Sequence, residues 1–151
     1  MIDLEALDLE WRTRLTAEVP EIAHCAPSED LPNDEAKLQA TLRTLQTPAV
    51  FTQFTDMSSA GRVTHNLKAQ VEEVTFVAGI VTRSLFSRAA VLQGQKGAYQ
   101  LIQAVKKAST GWKPTLAQRP LRFVKVEAIG RVGDRFLHEV HFATTLYETY
   151  T

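Results

Sequence analysis

The sequence predicts an α+β fold, a mainly antiparallel β-sheet flanked by helices, and three observations carry that prediction. Apolar residues recur at helical spacing in three stretches, and they alternate or run continuously in four others. The order of the two kinds is helix, helix, strand, strand, helix, strand, strand, with room for an extra early strand. Such an order sets helices against one sheet and differs from the regular alternation of a parallel α/β protein. At 151 residues the chain is large enough for one continuous core. No internal repeat or biased linker divides it, so residues 1–151 read as a single domain.

The first helix covers residues 3 to 17, where Leu4, Leu7, Trp11 and Leu15 recur at three- and four-residue steps. Pro20 ends it, and EIAHCAP supplies the extra short strand. A second helix follows within PSEDLPNDEAKLQATLRTLQTP, capped by Asn33 or Asp34, with Leu38, Leu42 and Leu45 as its buried edge. After Pro48 comes the strand AVFTQFT, and then DMSSAGRVTHN, residues 56 to 66, reads as a polar loop. The strongest strand is KAQVEEVTFVAGIVTRS. Val74, Phe76, Ala78 and Ile80 form one face and Val77 and Val81 the other, the pattern of a central strand covered on both sides.

The segment SRAAVLQGQKG reads as a flexible connection into the third helix, GAYQLIQAVKKAS. Ala98, Leu101, Ile102, Val105 and Ala108 make its apolar stripe, and Gly111 offers a left-handed cap over which Trp112 folds back. Two strands, residues 121 to 130 and 135 to 149, close the chain around a hairpin turn at VGD.

Composition narrows the function classes. With 44% apolar and 23% charged residues the chain is an ordinary globular one. Its longest apolar run, VTFVAGIV, is too short to cross a membrane. Cys25 is the single cysteine, which excludes an intramolecular disulfide and fits a reducing compartment. The acidic, amphipathic start MIDLEALDLEW is unlike a secretory signal, so a soluble, cytoplasmic protein is expected. The zero net charge conceals an asymmetry: residues 1–78 carry 6 Lys/Arg against 13 Asp/Glu, and residues 79–151 carry 11 against 4. That split fits nucleic-acid binding by the basic half, head-to-tail self-association, or charges that mix on one surface and cancel.

No reactive constellation emerges. His24 and Cys25 are neighbours in a strand and face opposite sides, as do Glu72 and Glu73. His138 and His141, three apart in a strand, also face opposite sides, and each reads as an exposed strand histidine. No cluster supplies a full metal-ligand set, so no metal is expected. Ser58, Ser59 and His65 share the polar loop without the sharp turn that an activated serine needs. Gly94 and Gly97 are too close for a P-loop, and Ala98-Tyr99 stands where Lys-Ser/Thr is required. The basic residues lack the interleaved aromatics of single-strand binders.

The stretches TPAVFTQF, GAYQLIQAVKKASTGWKP, RPLRFVKVEAIGR and the final ATTLYET lie in an order that resembles the phage Mu-like tail protein family. That family is similar in size and organisation to the tail terminators of long-tailed phages, and the resemblance covers residues 2 to 150. It implies a non-enzymatic structural virion protein without a cofactor. Such a protein forms a hexameric ring that caps the tail tube, stops its polymerisation and gives the head connector a docking surface. The implied partners are further copies of the chain, the tail tube protein, a neck or connector protein, and the sheath protein if the tail contracts. DNA would pass through the lumen without sequence-specific binding. The implied location is the virion tail, reached in the host cytoplasm. For subunit, tube or lumen contacts the residues singled out are Arg62, His65, Arg83, Arg88, Gln95 and Lys96, on the polar loop, the end of the central strand and the connection after it. Alternatives are a neck or head-completion adaptor, a DNA-binding module of the basic half, and a small hydrolase using Ser58, Ser59 and His65.

Overall fold

A computed structural model describes residues 3–63, 69–83 and 97–149 of the chain; for residues 59–63, 69, 70, 148 and 149 the description is of the backbone. Helix α1 spans Leu4–Glu18 and begins where the Asp3 carboxylate accepts the Ala6 N–H at 3.0 Å. That bond satisfies a donor the first helical turn leaves orphaned, and the negative charge suits the helix N-terminus. Pro20 blocks continuation, and the short strand β1, His24–Pro27, follows. A single turn of 3₁₀ helix, Ser28–Asp30, leads towards helix α2, Glu35–Thr44. Of the two candidate caps the structure selects Asp34, whose side chain accepts the Lys37 N–H at 3.0 Å. Strands β2, Ala49–Val63, and β3, Ala69–Arg83, precede helix α3, Ala98–Ser109. Strands β4, Arg122–Val132, and β5, Arg135–Thr149, complete the order.

The five strands form one sheet in the order β1-β2-β3-β5-β4, antiparallel except for the parallel β1–β2 pair. The α+β expectation holds, and EIAHCAP contributes the extra strand. Helices α1 and α3 cover one face. Trp11, Leu15, Leu101 and Val105 meet Phe76, Ile80, Val140 and Phe142 in the larger core. Helix α2 covers part of the opposite face, where Leu42 packs on Ala49, Phe51 and Val81. Val77 and Val81 are buried on that side, as the double-sided apolar pattern of β3 requires.

Two expectations are corrected. The stretch DMSSAGRVTHN is not a loop along its whole length, because β2 continues to Val63, pairing with β3 from Asp56 opposite Thr75 to Val63 opposite Gln70. Polar residues extend the strand because a long, well-formed neighbour satisfies their backbone groups, which overrides the local turn propensity. Ser58 and Ser59 therefore sit in a strand. His138, expected to be exposed, is 9% exposed, and the His141 side chain is 15% exposed. Both lie on β5, which is flanked by β3 and β4.

The third helix ends as expected. Gly111 adopts φ +82°, and the Trp112 N–H donates to Ser109 O at 3.1 Å. The returning chain is then fastened by bonds in both directions, Gly111 N to Leu121 O at 2.9 Å and Leu121 N to Trp112 O at 2.8 Å. The β4–β5 turn is Gly133-Asp134, with Gly133 at φ +61°.

Candidate functional site

The long strands set the geometry. At about 3.3 Å per residue the fifteen residues of β3 span roughly 45 Å. Arg62, near the β2–β3 connection, and Arg83, at the far end of β3, therefore stand at opposite ends of the sheet, about 40 Å apart on the same rise. Arg62 and Arg83 thus do not share one patch. Arg83 is exposed and donates from Nε to Asp134 at 2.6 Å, and this bond holds the Asp134 carboxyl below its ordinary pKa. Arg62 lies in β2 with its backbone described, while His65, Arg88, Gln95 and Lys96 fall outside the described residues, as does Gly94. Gly97 is the N-cap of α3 and makes no side-chain cap bond.

A polar cluster between α1 and β2 was not expected from the sequence. Asp8 faces the sheet, where its carboxylate is ion-paired with Arg12 and accepts the Thr52 hydroxyl at 3.1 Å. Burial is the largest influence on Asp8 and pushes its pKa up, opposed by Thr52 and Arg12. The cluster lies at one end of a groove of about 760 Å³ bounded by α1, the 3₁₀ turn and Thr52–Phe54 of β2. The helical period of α1 shows Asp8 beside Leu7 and Trp11, and that position was the available signal. Cys25 is half-buried, and desolvation pushes its thiol pKa up, the opposite of what an activated nucleophile needs.

At the other side of the sheet the β4–β5 register sets Glu127 opposite Glu139 and Lys125 opposite His141. Glu127, Glu139 and His141 bring three possible ligand atoms within 4.8 Å of one another. Lys125 Nζ lies 3.5 Å from Glu127, and His141 Nε2 lies 3.3 Å from Glu139. Sequence spacing hid it because it depends on cross-strand register.

The charge halves stay partly apart. Arg122 and Glu73 join them at 2.6 Å, whereas the Arg12–Asp8, Arg14–Glu18 and Lys125–Glu127 pairs each remain within one half. Acidic residues gather along α1 and the 3₁₀ turn, and basic ones along β4.

The sequence matches the phage tail terminator proteins over residues 3–150. The chain belongs to the phage tail terminator protein family. It is accordingly a structural protein of the virion tail. Its fold is also that of a chain in the virion of a native gene transfer agent (GTA) particle. The two superpose with a TM-score of 0.56 at 14% identity, over 97% of this chain and 99% of that one. No curated protein matches the sequence. No helix among the described residues is long and apolar enough to cross a membrane.

Proposed function

We propose that this tail terminator assembles as a hexameric ring on the end of the finished tail tube, stops its polymerisation, and presents a docking surface to the head connector. The observation that carries the reading is the family match, which spans the chain almost from end to end. Its partners are further copies of itself, the tube protein, a neck or connector protein and, in a contractile tail, the last layer of sheath. DNA passes through the lumen without sequence-specific contact. The protein works by shape and charge, without enzymatic activity, a metal or a cofactor. Arg62, His65, Arg83, Arg88, Gln95 and Lys96 serve contacts with neighbouring subunits, the tube or the lumen. The Arg83 side chain supports its part in this, because the pair with Asp134 fixes it at a sheet end while leaving it 44% exposed.

Electron microscopy of tubes polymerised with and without the protein tests this reading. Tubes of uniform length capped by a ring are expected with it, and overlong, uncapped tubes without it. Tubes whose length and ends are indifferent to the protein would overturn it.

A further inference from the structure

The sheet has two open edges of opposite character. On one side β4 is the last of the described strands, with β5 as its single described neighbour. On the other, β1 pairs only from His24 to Pro27 with Ala49 to Thr52 of β2. From Gln53 onward β2 has β3 as its strand neighbour, and no described strand on its other side. An uncovered edge presents backbone N–H and C=O groups that an extended segment can join.

The open part of β2 begins on the floor of the groove described above. Asp3, Glu5, Asp8 and Glu29 line that groove, together with Leu9, 57% exposed, and Phe54, 37% exposed. Among the described residues that line it the one cation is Arg12, which is bound to Asp8 and to the Thr52 hydroxyl. The groove is therefore acidic, with apolar side chains left to cover.

Strand β4 has the complementary character. It carries Arg122, Lys125 and Arg131 against the single carboxylate of Glu127. Val124, Val126 and Ile129 are 44%, 38% and 50% exposed. Lys125 and Arg122 keep more than half of their side-chain surface exposed despite their ion pairs. Exposed pairs of that kind hold weakly and can exchange partners. Register shifts leave Val124 and Ile129 out of the pairing with β5. Such bulges blunt an edge against indiscriminate pairing while leaving it open to a partner of matched shape.

We propose that β4 of a second copy docks along the open edge of β2, in the acidic groove, so that copies join head to tail through unlike edges of the sheet. The two patches lie three strand spacings apart, about 14 Å at ~4.8 Å per spacing, so one subunit can use both at once. Two different patches meeting in this way make a heterologous contact, the kind that closes into a ring. The inference rests on the ring reading above and adds which surfaces form the subunit contact.

The test uses two charge-reversed forms of the full chain, Lys125→Glu with Arg131→Glu on β4, and Glu5→Lys with Glu29→Lys in the groove. Each should lose the closed oligomer that the wild type forms, alone or on tail tubes, as read by light scattering and microscopy. Mixing the two forms in equal amounts should restore it, because every junction then pairs opposite charges again. Circular dichroism confirms that each form is folded. As an independent readout in a Cys25→Ser background, Gln53→Cys and Val126→Cys proteins mixed together should cross-link with a short bismaleimide. Wild-type rings that survive both reversals, or cross-linking of Val126→Cys to itself in place of the mixed product, would overturn the edge assignment and leave the ring reading standing. A wild type that forms no closed oligomer even on tubes would overturn the ring reading, and this inference with it.

Discussion

Trp11 and Ser109, 98 positions apart in sequence, are joined by a buried hydrogen bond of 2.9 Å from the indole Nε1–H to the serine hydroxyl. The bond fastens α1 to the last turn of α3 over the sheet, and the same indole stands edge-on to Phe76 and Phe142 at 5.9 and 5.6 Å. A buried indole N–H needs a partner, so the serine acts as a structural acceptor. Replacing Ser109→Ala should cost about 1–3 kcal/mol, the penalty of leaving a buried donor unsatisfied. Trp11→Phe removes the donor and its need for an acceptor together but vacates core volume beside Phe76 and Phe142, so it should cost at least as much in total. Urea unfolding of the two variants checks the order.

Arg135, 4% exposed, donates to Leu45 O at 2.7 Å and to Arg43 O at 2.9 Å. Its guanidinium thus satisfies carbonyls at the end of α2, where the helix has no further N–H to offer them. Arg135→Met keeps most of the apolar stem and removes the donors. We expect a loss of about 1.5–3 kcal/mol, the range for hydrogen bonds to a charged group. Hydrogen exchange should show the loss concentrated in α2, and uniform loss across the sheet would refute this account.

Gly111 sits at φ +82° with nothing within 4 Å of where a Cβ would stand. The cost of Gly111→Ala is therefore backbone strain alone, without a clash, about 1–3 kcal/mol for a left-handed non-glycine residue. Gly111→Asn should recover part of it, because asparagine tolerates that conformation better. Thermal denaturation of the pair reads the difference.

Asp8 makes stability depend on pH. Burial lifts its pKa in the folded protein above the ordinary 3.8, with Thr52 and Arg12 pulling the other way. The folded state then holds this proton to a higher pH than the unfolded chain does. Asp8 contributes most to stability below the unfolded pKa and loses that contribution as pH rises through the folded one. Compared over about pH 3.5 to 6, the range around an ordinary carboxyl pKa, the Tm of wild type minus that of Asp8→Asn should fall as pH rises. A difference that grows with pH would contradict the assignment.

Much of this architecture was legible in the residues. The spacing of Leu7, Trp11 and Leu15 fixed the buried face of α1, and all three are at most 2% exposed. The run Val74 to Val81 marked β3 as central, and Gly111-Trp112 marked the end of α3. These signals are local, since a helical stripe, a two-sided strand and a left-handed cap each follow from the residue and its near neighbours. The family resemblance was legible too, because it is carried by the order of such segments along the whole chain.

Tertiary structure alone decided what depends on partners distant in sequence. Ser58 and Ser59 looked like loop because their composition is polar, yet pairing with Glu73 and Glu72 of β3 keeps them in a strand. His138 looked exposed because strand alternation says which side it faces and not what covers that side. The Asp8–Thr52 contact, the Glu127–Glu139–His141 grouping and the opposed charge of the two sheet edges arise from register and strand order. A one-residue slip of a strand would send its side chains to the other face. The sequence by itself determined the elements and their apolar faces, because periodicity and capping act within a few residues. The meeting of those faces, and the order of the strands in the sheet, were decided by long-range pairing.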